Sequence, residues 1–218
     1  MDLIEALRTT GAARSFTDEG VSDQTLADIL EIARFAPSGG NRQGWKVAVV
    51  QDAKIRVGIA ELMQPVWNQY IAMAHPSRAP FNAVDNVVPP ANAGHSPSEL
   101  IGCMTSIPVM LAVAVDLSKI SMLDKDLDRP AVVGGASIYP FCWSILLAAR
   151  NFGLSGVITT FLSRAEPAAT PLLGLPPEHA LAATLMIGHP VKQITKLSRK
   201  PVTAFTTLDR FDGPTFIA

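Results

Sequence analysis

Ala36-Pro37-Ser38-Gly39-Gly40-Asn41-Arg42-Gln43-Gly44-Trp45 lies between a helical apolar pattern and an apolar run, and its composition is that of a loop built around its own main chain. Pro37 cannot continue the preceding helix, and the Gly39-Gly40 pair can take backbone conformations closed to residues with a Cβ. Such a loop can press its amides against a flat ligand. An ordinary helix-to-strand connection uses the same residues simply to turn, so the segment needs a second signal before it speaks of function.

Outward from this loop the pattern alternates between helix and strand. Upstream, Asp2 to Thr9 reads as a short helix with Leu3, Ile4 and Leu7 on one face. Ser22 reads as the cap of a second helix, in which Leu26, Ile29, Leu30 and Ala33 recur at helical spacing. Downstream, Trp45 to Gln51 reads as a strand, and Ala53 to Ala74 as a long helix that Pro65 should kink or divide. From His75 to Ser98 periodicity vanishes amid Pro76, Pro80, Pro89, Pro90 and Pro97. A segment of that length without a pattern is expected to act as a lid or pocket wall, the alternative being a surface insertion.

Beyond it, Val109 to Val115 is an unbroken apolar strand and Gly134 to Asn151 an apolar helix, placed centrally or at an interface. Gly153 to Thr160 turns into another extended segment. Glu166 to Leu173 is expected as a helix, Leu181 to Ile187 as a strand and Val202 to Leu208 as a last, β-branched strand, paired in its own sheet or in a neighbour's. The expected class is α+β: a three-layer sandwich in which helices flank a mixed or antiparallel sheet, formed as one domain over residues 1–218.

Composition removes several function classes. The chain has 218 residues and a formal net charge of −1, with 17% charged and 48% hydrophobic residues, so it lacks the basic stripe of a nucleic-acid binder and carries apolar surface enough for another subunit. Asp2 and Glu5 stand where a secretory signal needs cations, and the apolar runs are too short to span a bilayer; the expected location is the cytoplasm. Cys103 and Cys142 form no metal or redox motif and are expected to be two buried, inert thiols. The four histidines lack ligand spacing, so no metal is expected. GxSxG, GxGxxG and P-loop patterns are absent.

Four blocks together resemble one family. Arg8-Thr9-Thr10-Gly11-Ala12-Ala13-Arg14-Ser15-Phe16, the Ala36–Trp45 loop, Gly153-Leu154-Ser155-Gly156 and Ser198-Arg199-Lys200-Pro201-Val202 look like the nitroreductase family of FMN-dependent oxidoreductases, in the family's order and spacing. The resemblance covers nearly the whole chain except residues 75–98.

It implies FMN as cofactor and NAD(P)H as electron donor, in a homodimer with the flavin at the subunit interface. Arg8, Thr10 and Arg199 would then serve the phosphate, and Arg14 the pyrimidine edge of the ring or the ribityl chain. Pro37, Ser38, Gly39, Gly40 and Asn41 would touch the flavin of the other subunit. Ile158, Thr159 and Thr160 would run beside the ring and offer a backbone N–H to N5, and Asn68 matches a family amide that contacts the ring. Thr10-Gly11-Ala12 departs from the family's basic-basic-Ser run, and Gly44 replaces a common proline.

The implied reaction is ping-pong hydride transfer to a nitroaromatic, a quinone or another small electron-poor acceptor, without a catalytic side chain. Two alternatives remain: a non-catalytic FMN storage or sensor protein, and a flavin-fragmenting or dehalogenating relative. NADH and NADPH are not distinguished.

Overall fold

The computed structural model describes residues 1–217. Its sheet has four strands in the order β1-β2-β4-β3, all neighbours antiparallel: β1 (Trp45–Val49), β2 (Val109–Asp116), β3 (Ser155–Thr159) and β4 (His179–Gly188). β2 and β4 are central and buried on both faces, so their sequences read as continuous apolar runs rather than as alternation.

The two faces bury separate clusters. Val109, Leu111, Val113 and Val115 of β2 point to one side, where α2 (Asp23–Ala33) and α5 (Tyr139–Asn151) pack through Leu26, Ile29, Phe141 and Ile145. Met110, Ala112 and Ala114 point to the other, where α3 (Ala53–Ala72), α4 (Glu99–Gly102), α6 (Phe161–Arg164) and α7 (Glu166–Leu173) close the third layer through Ile59, Met63, Leu100, Leu162 and Ala169. The expected α+β sandwich is therefore observed, with an antiparallel sheet. A register shift between Val113 and Ala114, opposite Ala183 and Leu181, puts both Ala182 and Ala183 into the first cluster.

Several boundaries differ from expectation for local reasons. α3 runs unbroken through Pro65. Pro65 and Glu61, the residue whose carbonyl loses its partner, are both exposed, while Ile59, Met63 and Val66 hold the helix on the core side. The apolar stretch from Gly134 divides at Ile138 into a 3-10 segment, Val133–Ser137, and α5, because Pro140 opens the second helix. Val202 to Leu208 is not a strand: Val202–Ala204 forms a 3-10 turn, and the lone bridge nearby joins Thr207 to Thr215. Among the described residues of one chain, the alternation there meets no strand with which to pair. Cys142 is buried as expected, whereas Cys103 is half-buried.

Two anchors, one polar and one aromatic, fix the ends of the sheet. Arg56 is 7% exposed and has no carboxylate partner among the described residues. Its guanidinium donates to the carbonyls of Val50 (2.8 Å), Ile107 (2.6 Å), Thr105 (3.3 Å) and Pro108 (3.4 Å), tying α3 to the chain leaving β1 and entering β2. At the other end, the Trp45 ring stacks on Phe141 at 4.5 Å and 2°, which seats the loop before β1 against α5. α1 (Leu3–Thr9), capped by Asp2, buries none of its residues and leaves Leu3 69% and Ile4 62% exposed. No helix among the described residues is long and apolar enough to cross a membrane.

Candidate functional site

β3 is an edge strand, and edges expose unpaired backbone groups. The N-terminal chain covers part of this edge: Ala12 bridges Gly156 in parallel, and the Ala13 N–H donates to the Gly156 carbonyl at 3.0 Å. Since the carbonyl of Gly156 faces away from β4, the period-two alternation of a strand turns the backbone groups of Ile158 to the same open side. Gly156 permits this crowding. A Cβ on it would lie 2.5 Å from the Met186 carbonyl oxygen and 2.9 Å from Leu146 Cδ2.

Beside that edge lies a cavity of about 490 Å3. Arg14, two residues past the bridge, forms one wall with Ile158, Thr159 and Thr160. The rings of Trp67, Tyr70 and Phe161 form another, and residues 97–101 a third. The aromatic wall is a packed unit: Trp67 and Tyr70 stack at 6.0 Å, and Phe161 meets both edge-on at 5.6 and 5.3 Å. Arg14 has no ion pair among the described residues. Glu99, the carboxylate on the cavity wall, accepts a hydrogen bond from the Ser15 hydroxyl.

The structure thus brings Arg14 together with Ile158, Thr159 and Thr160. Other expected site residues lie elsewhere within one chain. Pro37 to Asn41 precedes β1, at the sheet edge opposite β3. In that loop Gly40 has φ +61° and Asn41 φ +52°. The Gly39 N–H donates to Ser137 Oγ (3.1 Å), the Gln43 N–H to Ser38 Oγ (2.9 Å) and the Asn41 N–H to the Ser38 carbonyl (2.9 Å), so much of its hydrogen-bonding capacity holds its own shape. Gly44 is required there by close approach, since a Cβ would meet Lys119 Cβ at 2.7 Å.

The expected phosphate residues are also dispersed. Arg8 is exposed in the last turn of α1. Thr10 is buried, and its hydroxyl donates to the Ala6 carbonyl at 2.7 Å, which closes the helix end and commits the proton. Gly11 lies close under the C-terminal tail: a Cβ on it would stand 2.8 Å from Ile194 Cδ1 and Leu197 Cδ2, the mobile ends of two side chains. That contact brings the chain just before Arg199 against the N-terminal segment. Arg199 itself is exposed, with Nη1 donating to the Ser198 carbonyl. Asn68 stands one residue from Trp67 on α3 but off the cavity wall, with Oδ1 accepting from Gln64 Nε2 and from the Ser96 N–H.

Sequence reading missed the aromatic wall. The i, i+3 spacing of Trp67 and Tyr70 marks one helical face, yet Phe161 joins them only through the fold.

A free guanidinium, edge-strand amides and an aromatic wall are the donor set and contacts that a flat, electron-accepting ring with polar edges requires, so these residues fit a flavin. Among the described residues no cluster of His, Cys, Asp and Glu could hold a metal ion.

The model of the Nitroreductase family matches residues 7–189. A nitrobenzene nitroreductase of Ectopseudomonas oleovorans is 27% identical over 93% of this chain and 95% of its own. An iodotyrosine deiodinase of Hydra vulgaris is 21% identical over 92% and 70%. In fold, the chain resembles the NADPH:FMN oxidoreductase of Vibrio harveyi complexed with NAD+, with a TM-score of 0.67, 19% identity and coverage of 95% and 76%.

Proposed function

The chain belongs to the nitroreductase family, and from that premise we propose that it is an FMN-dependent oxidoreductase that passes electrons from NAD(P)H to a small electron-poor acceptor such as a nitroaromatic or a quinone. The observation that carries the reading is the cavity where Arg14, the open edge of β3 and three aromatic rings meet. Bound FMN would supply the redox chemistry, taking a hydride from the nicotinamide and returning two electrons to the acceptor in alternate half-reactions. The protein's residues bind and orient. Arg14 offers a cation where negative charge would accumulate on a reduced ring. The backbone N–H of Ile158 offers a fixed donor at the strand edge, and such preorganised donors are worth more in a water-poor site. Trp67, Tyr70 and Phe161 favour a planar, apolar acceptor.

A homodimer completes the reading. Leu3, Ile32, Phe35, Pro37 and Leu147 line a groove of about 470 Å3 next to the Pro37–Asn41 loop, and Leu3 and Phe35 are strongly exposed. A second copy laid on this face would cover it and carry its own loop toward the first copy's flavin, with Arg8 and Arg199 available to the phosphate. Residues 75–98 act as the lid of a single flavin-binding domain, and the protein works in the cytoplasm.

The test is an anaerobic titration followed by visible absorbance. FMN-loaded protein should be yellow and bleach with one equivalent of NADH or NADPH per flavin, and an added quinone should restore the colour. Protein that binds FMN but never bleaches would be a storage or sensor protein; protein that cannot be loaded would end the proposal.

A further inference from the structure

Residues 97–101 form one wall of the cavity, and two side chains of α3 hold Ser96, the residue that leads into it. Gln64 Nε2 donates to Asn68 Oδ1 (2.7 Å) and to the Ser96 carbonyl (2.9 Å), while the Ser96 N–H donates to Asn68 Oδ1 (3.0 Å). The ring closes on itself. Because the Ser96 backbone fixes which atom donates and which accepts, neither amide can be flipped without losing a bond. The pair therefore treats the Ser96 peptide as a neighbouring strand would, satisfying both its N–H and its C=O. Next along the chain, Trp67 Nε1 donates to the Pro97 carbonyl at 3.2 Å, and Gln69 Nε2 reaches back to the Pro90 carbonyl at 3.3 Å. On the far side Leu100 and Ile101 are buried and Ser98 caps α4. The segment is thus held at both ends, and the α3 end is held by side chains alone.

We propose that Gln64 and Asn68 are a latch that fixes residues 96–101 over the cavity and so sets which acceptors enter, Asn68 being a positioning residue rather than a flavin ligand. The selectivity part rests on the oxidoreductase reading; the latch itself does not. Its chemistry separates it from a flavin contact. Among the described residues Asn68 acts only as an acceptor, of two N–H donors, a task that a carboxylate performs as well. An amide that donated from Nδ2 to a flavin carbonyl would lose that donor, and gain a repelling charge, on conversion to Asp.

The experiment compares Asn68→Asp with Asn68→Leu, and with Gln64→Leu as a second break of the same ring. Amide hydrogen exchange of the flavin-free proteins should show Ser96 and its neighbours exchanging about tenfold faster in either Leu variant, as losing one or two ordinary hydrogen bonds implies. Asn68→Asp should exchange at close to the wild-type rate. FMN dissociation constants, followed by flavin fluorescence, should stay within about twofold in all three, since a latch that touches no flavin leaves flavin affinity where it was. In steady-state turnover, the ratio of kcat/KM for a bulky quinone to that for a small one should rise at least about threefold in the Leu variants and not in Asn68→Asp, the sign of a loosened wall. Unchanged exchange in both Leu variants would overturn the latch whether or not the protein turns over. FMN affinity falling more than about tenfold in Asn68→Asp would overturn the positioning role and return Asn68 to the flavin.

Discussion

Replacing Gly156 by Ala should damage the fold and the site together, because this residue is squeezed between the N-terminal segment and the central strand β4. The new Cβ would lie 2.5 Å from the Met186 carbonyl oxygen, 2.9 Å from Leu146 Cδ2 and 3.0 Å from Ile187 Cγ1. The first distance falls roughly 0.9 Å short of ordinary van der Waals contact, and the obstructing atom is backbone of a strand paired on both sides. Leu146 can rotate; the carbonyl cannot. β3 must move outward, which stretches its ladder to β4 over residues 155–159 and strains the Ala13 contact. Overpacking of this kind costs about 1–3 kcal/mol, and each ladder hydrogen bond lost adds about 1 kcal/mol, giving about 3 kcal/mol in all. With a urea slope of about 2 kcal/mol per molar, the unfolding midpoint should fall by about 1.5 M, read by fluorescence of Trp45, Trp67 and Trp143. FMN retention should drop with it, since Ile158 to Thr160 follow directly. A midpoint within about 0.3 M of wild type, at unchanged slope, would show that β3 does not sit so close to β4 and would refute the steric argument.

Three further outcomes follow from the polar and thiol groups. Arg56→Met should lower stability by about 2–4 kcal/mol in urea unfolding, because the Val50 and Ile107 carbonyls lose their donors at the sheet ends; a loss below about 0.5 kcal/mol would contradict that role. Asp124 is buried, and its carboxyl is held below the usual range chiefly by the Val132 N–H, with Arg129 and the Val133 N–H adding to this. A lowered acid pKa gives stability that is present above the unfolded value near 3.9 and lost as pH falls through the folded one. Urea midpoints measured from pH 5 to pH 3 should therefore decline less steeply in Asp124→Asn than in wild type, and parallel declines would remove Asp124 as the cause. Burial pushes the Cys142 thiol up to about 12, and burial also raises that of half-buried Cys103. A disulfide reagent at pH 8 should find at most one slowly reacting thiol in the native protein and two in denaturant; two fast native thiols would contradict the packing of α5.

The three-layer sandwich was legible because its signals are local. Leu26, Ile29 and Ala33 recur at helical spacing, and the short, unbroken, valine-bearing run from Val109 to Val115 has the length and composition of a strand buried on both faces. Punctuation misled where its effect depended on surroundings. Pro65 leaves α3 whole because the unpaired carbonyl sits on the solvent side, whereas Pro140 opens a helix that composition alone ran back to Gly134. The alternation of Val202 to Leu208 had a strand's period but no neighbour among the described residues of its own chain, and a strand is defined by its pairing.

For the site, the chain by itself determined the parts: a cation at 14, a glycine-bearing loop at 36–45, and a small-residue turn at 153–156 that admits a close neighbour. Tertiary structure alone decided their company. It set Arg14 against the edge of β3, moved the loop to the opposite edge of the sheet, joined Phe161 to Trp67 and Tyr70, and spent the amide of Asn68 on Ser96. Hydrophobic period and backbone propensity act over a few residues and are written locally. Which edge is left open, and which side chain finds a hydrogen-bonding partner 28 residues away, follows from how the layers pack, and no local pattern encodes it.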